Sequence, residues 1–220
     1  MDRRRWGLIN LMKIIKIDGT NPEHDKIEIV RRAMKMGSII VYPTDTVYGI
    51  GANIFDEKAV LKVFSIKKRS ITKPLSICLS RIEDIKKVAL MDIKTENIIR
   101  KILPGPYTLI LKKNNNISSL LTAGSDRIGL RIPDNKVCMA LSRDFPITST
   151  SANLSGYDIP ESAEEVLEQL GTSIDIMMDA GIYEHAVPST VIDMTVYPPE
   201  VMREGAGNHN LIKSIINGFK

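Results

Sequence analysis

Apolar positions along this chain repeat at two different intervals. From Pro22 to Lys35 they fall three and four apart, at Ile27, Val30 and Met34, which predicts a helix with Gly37 just past its end. The unbroken apolar run Ile39–Tyr42 predicts a buried strand ended by Pro43. The same reading gives a helix over Glu57–Lys67, with Val60, Leu61 and Phe64 inward. Further helices are expected over Ile82–Leu90, Lys94–Leu103, Asn135–Arg143, Ser162–Leu170 and Asn210–Ile216. Pro104-Gly105-Pro106 stops one of these, and Ser162 with Glu165 has the capping-box spacing that starts another. Strands are expected over Leu75–Leu79, Tyr107–Leu111, Ile128–Ile132, Ile147–Ser149, Ile174–Met178, Thr190–Met194 and Glu200–Met202. Short strands interleaved with helices predict an α/β or α+β domain around one mixed sheet, and periodicity leaves the strand order open.

Several polar stretches interrupt this pattern at element ends. "YPTDTVYGIGAN", which follows the first strand, is longer than the two to six residues that usually join neighbouring elements, and it is rich in hydroxyls and small residues. "SIKKRSITKPL", "LTAGSDRIGLRIP", "ITSTSANLSG", "VPSTVID" and "MREGA" are the others. A loop of this kind at a strand end usually holds something.

Composition narrows what that could be. With 220 residues, 43% of them hydrophobic, the chain buries roughly 70% of its unfolded surface and needs no staples. No Pro/Gly/Ser-rich linker, charge block or internal repeat divides it, which predicts one domain. The basic N-terminal stretch is broken by Lys13 and Lys16, too soon for a signal peptide or a membrane span. The periodic pattern begins at Met12, so residues 1–11 are expected to be a dispensable arm, with Met12 a candidate start, and residues 12–220 the domain. Cys78 and Cys138 form no CxxC pair and His24, His185 and His209 are scattered, which argues against zinc or a disulfide framework and fits a reducing cytoplasm. The net charge of +4 favours anionic partners such as nucleotides or RNA, although acidic residues nearly match the basic ones.

Each polar stretch has a plain reading and a chemical one. Lys67, Lys68 and Arg69 close a helix, where cations complement the dipole; they are either a solvated cluster or an anion site, with the arginine fork and lysine charge suited to a polyphosphate. Gly49-Ile50-Gly51 lacks the rest of a dinucleotide fingerprint and no GxxxxGK[ST] occurs, so a nucleotide would be held in neither standard way; a lone GxG most often marks a tight backbone. "STSANLSG" gathers Ser149, Thr150, Ser151, Asn153 and Ser155 after an apolar strand, as an ordinary turn or with Ser151 and Asn153 aimed together at phosphate or base edges. Arg131, among Ile128, Leu130 and Ile132, either faces outward on an alternating strand or lines a cleft, where it suits a carboxylate. No Ser-His-Asp arrangement is supported, because nothing fixes His185 and Ser189 as a dyad.

Taken in order, "YPTDTVYGIGANIF", "KKRSITKPL", "RIGLRIP", "STSANLSG", "VPSTVID" and "REG" resemble the YrdC-like threonylcarbamoyl-AMP synthases, from Met12 to about Gly207. The resemblance implies a single-domain α/β fold, a twisted mixed β-sheet flanked by helices, with a large concave basic cavity. It implies a nucleotidyltransferase that turns L-threonine, bicarbonate and ATP, with Mg²⁺, into threonylcarbamoyl-AMP and pyrophosphate. A separate transferase complex then uses the product to make threonylcarbamoyladenosine at position 37 of tRNA. Carried over by position, Lys67 and Arg69 would be catalytic and bind ATP with Ser151, Asn153 and Arg203, while Thr44, Arg131 and Ser189 would hold threonine. The loop after the first strand would then wall the cavity. Ser70 stands where many relatives have proline, and the second, C-terminal domain of some members has no counterpart expected here.

Two rivals use the same residues differently. A non-enzymatic module binding double-stranded RNA or tRNA would exploit the same basic face, but only 5% of residues are aromatic, few for base stacking. Hydrogenase-maturation carbamoyltransferases are longer and carry zinc-finger cysteines, which are missing here.

Overall fold

Every segment of alternating or continuous apolar residues finds a place in one mixed sheet. A computed structural model describes residues 12–217; the expected arm, residues 1–11, lies outside the described residues. The strands are β1 (Lys13–Lys16), β2 (Ile40–Tyr42), β3 (Gly49–Gly51), β4 (Ser76–Cys78), β5 (Tyr107–Lys112), β6 (Arg127–Arg131), β7 (Ile147–Ser151), β8 (Ile176–Asp179), β9 (Thr190–Asp193) and β10 (Glu200–Arg203). The helices are α1 (His24–Lys35), α2 (Glu57–Ile66), α3 (Ile93–Ile102), α4 (Ser119–Thr122), α5 (Lys136–Leu141), α6 (Ala163–Leu170) and α7 (His209–Asn217). The strand order is β1-β8-β2-β3-β7-β4-β6-β5-β9-β10. None of the described helices is long and apolar enough to cross a membrane.

Three elements escaped the sequence pattern. β1, β3 and α4 are each only three or four residues long, too short to show a period. The stretch after β2 is therefore a shorter loop, residues 43–48, followed by a return strand, β3, antiparallel to β2. The segment expected as a helix over Ile82–Leu90 is a 3₁₀ helix, Ile82–Lys87. On α2 the inward residues are Val60, Val63 and Phe64, whereas Leu61 is exposed. Ser162 caps α6 as expected, accepting from the Glu165 amide, but the Glu165 carboxylate accepts from Glu161 rather than closing the box on Ser162.

Side-chain alternation sorts the strands into two apolar layers. Ile39, Val41, Ile77, Leu109, Leu130 and Ile192 enter the larger layer with α2, α3 and the inner residues of α6 and α7. Ile40, Tyr42, Cys78, Ile147, Ile176 and Met178 point the other way, into a smaller layer closed by α1 and α5. Cys78 and Cys138 both sit in that smaller layer as free, buried thiols, and burial with the neighbouring Cys78 pushes the Cys138 thiol up. The larger layer covers the face of the sheet that carries Val41, Ile77, Leu130, Leu109 and Ile192. Helices α1 and α5 cover only part of the other, and the face of β4, β6, β5 and β9 beyond them is left open.

Gly49 and Gly51 answer for the GxG: they clear space for a tyrosine ring, not for a phosphate. A Cβ on Gly51 would lie 2.8 Å from Cε1 of the buried Tyr42, and one on Gly49 3.0 Å from its Cζ. The Tyr42 hydroxyl ends on the Thr148 carbonyl at 3.1 Å. Gly51→Ala is expected to destabilise the protein by about 1–3 kcal/mol in urea unfolding, the usual cost of overpacking. Combining it with Tyr42→Leu should give less than the sum of the two single losses, since the second change removes the clash.

Candidate active site

The open half-face is a checkerboard read directly from strand register. Ser76 pairs across to Ser149 of β7, and Ile77 to Leu130 of β6. On β6, Thr108 of β5 lies opposite Arg131, and Ile110 opposite Gly129. Val191 and Asp193 of β9 continue the same two rows. Since alternate residues share a face, Ser149, Ser76, Gly129, Ile110 and Asp193 form a middle row, with Arg131, Thr108 and Val191 on one side of it. These residues floor a hollow of about 580 Å³.

Gly129 is the flat centre of that floor. A Cβ there would stand 2.5 Å from the Ser76 hydroxyl and 3.3 Å from the Thr108 methyl. Two residues away on either side along β6, Arg127 and Arg131 enter the hollow, about 13 Å apart at the usual strand rise.

Arg131 is fixed by the loop after β2. Its Nη2 donates to Asp45 Oδ1 at 2.8 Å and to Thr46 Oγ1 at 2.9 Å, while its buried Nε has no partner among the described residues. Asp45 also accepts from the Asp134 amide; burial raises its pKa, against the pull of Arg131. Thr44 serves that loop from within: its hydroxyl donates to the Val47 carbonyl at 2.7 Å and accepts from the Thr46 and Val47 amides. Against the expectation of direct contact, Thr44 is buried behind the lining, where Val47 is what the loop presents.

Ser189, just before β9, hydrogen-bonds Thr108 at 2.7 Å. Arg203 at the end of β10 donates to the Ser189 carbonyl at 2.8 Å, and both residues line the hollow. Burial lowers the Arg203 pKa, with Arg131 adding to the effect, so two guanidinium groups share this end.

The opposite end is built by the close of α2. Lys68 takes a left-handed backbone (φ 49°), its amide donates to the Ser65 carbonyl, and the Arg69 amide reaches back to Phe64. This is a Schellman turn, and it sends the two flanking cations different ways. Arg69 turns to the hollow, its Nη2 on the Pro74 carbonyl at 2.8 Å and its Nε on Lys73 at 3.2 Å, and burial lowers its pKa. Lys67 goes inward and is only 2% exposed. Its Nζ donates to the Ser151 carbonyl, to the Asn153 carbonyl at 2.6 Å and to Asn153 Oδ1 at 3.1 Å. Lys67 therefore stands behind the lining and holds the "STSAN" turn. Ser151 and Asn153 do line the hollow, joined through Ser151 Oγ to Asn153 Oδ1 at 2.6 Å.

Of the eight residues singled out from sequence, Arg69, Arg131, Ser151, Asn153, Ser189 and Arg203 thus meet in one hollow, with Lys67 and Thr44 directly behind its walls. Sequence reasoning passed over Ser76, Thr108, Arg127, Gly129 and Asp193. Parity was the available signal: once Arg131 faces a site, Gly129 and Arg127 face it too.

Comparisons with known proteins bear on the family and the fold. Residues 32–205 match the Sua5/YciO/YrdC family model, which carries the description telomere recombination. A putative threonylcarbamoyl-AMP synthase of Methanocaldococcus jannaschii is 41% identical over 201 residues, covering 90% of this chain and 95% of the relative. The threonylcarbamoyl-AMP synthase of Pyrococcus abyssi is 36% identical over 90% of this chain but 59% of its own length. The crystal structure of P. abyssi Sua5 complexed with L-threonine superposes with a TM-score of 0.88 at 33% identity, over 94% of this chain and 62% of that one. E. coli YciO gives 0.83 at 29% identity, over 91% and 99%. The chain belongs to the Sua5/YciO/YrdC family.

Burial and the Arg69 charge bring the Lys67 ammonium down to about 7, while its three oxygen acceptors match the three protons of the charged form. Between that value and the ordinary lysine value near 10.4, the unfolded chain binds the extra proton, so stability from this group rises with pH. Urea titrations are expected to show this rise between about pH 7 and 9 in the wild type and not in Lys67→Met. The same variant should lose about 1–3 kcal/mol at pH 7, because buried acceptors are left unbonded.

Proposed function

We propose that this chain is a threonylcarbamoyl-AMP synthase. The observation that carries the reading is a single sheet-floored hollow with cationic groups at both ends, Arg131 and Arg203 at one and Arg69 at the other. The threonine carboxylate would take Arg131, whose planar fork suits it, and its hydroxyl and amine would lie near Ser189 and Thr108. Thr44 and Asp45 would act through the loop that holds Arg131 in place. The nucleotide would lie toward Arg69, Ser151 and Asn153, with Tyr157 and Ile159 giving the base an apolar wall.

The chemistry asks for positioning more than for a nucleophile. The threonine amine and bicarbonate combine with loss of water, and a carbamate oxygen attacks the α-phosphorus. The bond to the β-phosphate bridging oxygen breaks and pyrophosphate leaves with the electron pair. Fixed guanidinium groups around crowded phosphate oxygens stabilise the charge that develops, and a walled hollow limits hydrolysis of the carbamate. Asp193 is the one carboxylate among the described residues lining the hollow, and both its oxygens are engaged by Arg127 and Thr195. That donor set is too poor for a resident metal, so Mg²⁺ would arrive as part of the nucleotide substrate, on phosphate oxygens. Lys67 would contribute by holding Ser151 and Asn153. The product would pass to a separate transferase acting on tRNA in the cytoplasm.

Purified protein is expected to release pyrophosphate from ATP only when threonine and bicarbonate are both present; equal release with either omitted would overturn the reading. Arg131→Lys, which keeps the charge but loses the fork, should raise KM for threonine by about tenfold or more and leave KM for ATP within about twofold.

A further inference from the structure

Arg127 lies on the hollow and none of the chemistry above uses it. We propose that Arg127 is a further phosphate-binding residue, which grips the pyrophosphate end of ATP beside Arg69 and is held by Asp193 as a counter-ion between turnovers. The inference rests on the synthase reading and adds a residue and a switch of partner to it.

Register places the two arginines together. The parallel pairing of Ile77 with Leu130 places Pro74, just before β4, and Arg127, at the start of β6, toward the same end of the floor. The antiparallel pairing of Ser76 with Ser149 directs Ser151, at the close of β7, toward that same end. The Pro74 carbonyl is where the Arg69 Nη2 rests, at 2.8 Å. Ser151, Arg69 and Arg127 therefore cluster at one end of the floor, and Arg131 stands about 13 Å away along β6. A carbamate built at the Arg131 end would meet the α-phosphate over Gly129, and the departing phosphates would lie toward Arg127.

The Arg127–Asp193 pair is asymmetric in a way that suits an exchange. Asp193 is pinned: its side chain is 5% exposed, Oδ1 accepts from the Thr195 amide and hydroxyl, and Oδ2 accepts from Arg127 Nη1 at 2.9 Å. The Arg127 side chain is 50% exposed, and among the described residues only Nη1 is bonded. An ion pair so open to water is weak, whereas a polyphosphate offers the guanidinium a bidentate partner of higher charge. Asp193 also keeps the empty hollow from accumulating uncompensated positive charge.

The test is calorimetric binding of inorganic tripolyphosphate and, separately, of L-threonine to the full chain. Arg127→Gln is expected to weaken tripolyphosphate binding about ten- to a hundredfold and to leave threonine binding within about twofold. Asp193→Asn, which removes the competing charge, should bind tripolyphosphate at least as tightly as the wild type. Unchanged tripolyphosphate affinity in Arg127→Gln overturns the assignment, and so does a parallel loss of threonine affinity, which would mark a distorted floor. Weaker tripolyphosphate binding in Asp193→Asn overturns the counter-ion role. Wild-type protein that binds neither tripolyphosphate nor ATP would instead bring down the synthase reading, and this inference with it.

Discussion

Strand alternation in the half-sheet of β4, β6, β5 and β9 is the constraint on which the rest of this structure depends. One parity carries Ile77, Leu130, Leu109 and Ile192 into the larger core, where each fully buried side chain contributes about 1.5–3 kcal/mol. The other parity is then obliged to face away from that core, and beyond Cys78, which packs in the smaller layer against α5, it is left open. Ser76, Arg131, Thr108 and Asp193 occupy those positions. A register slip by one residue would exchange the two sets and bury the charges, so the same burial that stabilises the fold also holds the hollow's lining in place.

Grouping four arginines in one hollow has an electrostatic cost, and each is met by a specific acceptor. Arg131 has Asp45 and Thr46, Arg127 has Asp193, and Arg69 and Arg203 have backbone carbonyls. Two guanidinium groups are thus balanced by carboxylates, and two are held by dipoles alone. Carbonyl dipoles orient a guanidinium without cancelling its charge, which leaves a net positive field for an anionic ligand to neutralise. A buried donor without a partner is costly, and among the described residues Arg131 Nε has none.

The long elements were legible in the sequence because their periods run over enough residues to be counted. α1, α2, α3 and β5 fall within a residue or two of where their apolar spacing places them. β1, β3 and α4 were not, since three or four residues carry no period, and Gly49-Ile50-Gly51 has no side-chain alternation to read. At the site, Arg69, Arg131, Ser151 and Asn153 stood out because polar residues at strand and helix ends interrupt an apolar pattern. The inward turn of Lys67 was invisible: a KKR run at a helix end reads the same whether its first lysine faces solvent or core. Only the left-handed residue Lys68 decides that, and nothing in a lysine announces a positive φ. Arg127 was overlooked for the opposite reason, since it looks like an ordinary exposed charge until Gly129 and Arg131 are seen to share its face.

The placement of Arg127 and Arg131 on a single strand makes β6 a ruler with fixed graduations. Side chains on one face come only every second residue, so separations along it change in steps of about 6.6 Å. A related protein handling a longer or shorter pair of substrates could not stretch the interval gradually. It would have to jump a whole graduation, change the reach of a side chain, or borrow a group from a neighbouring strand.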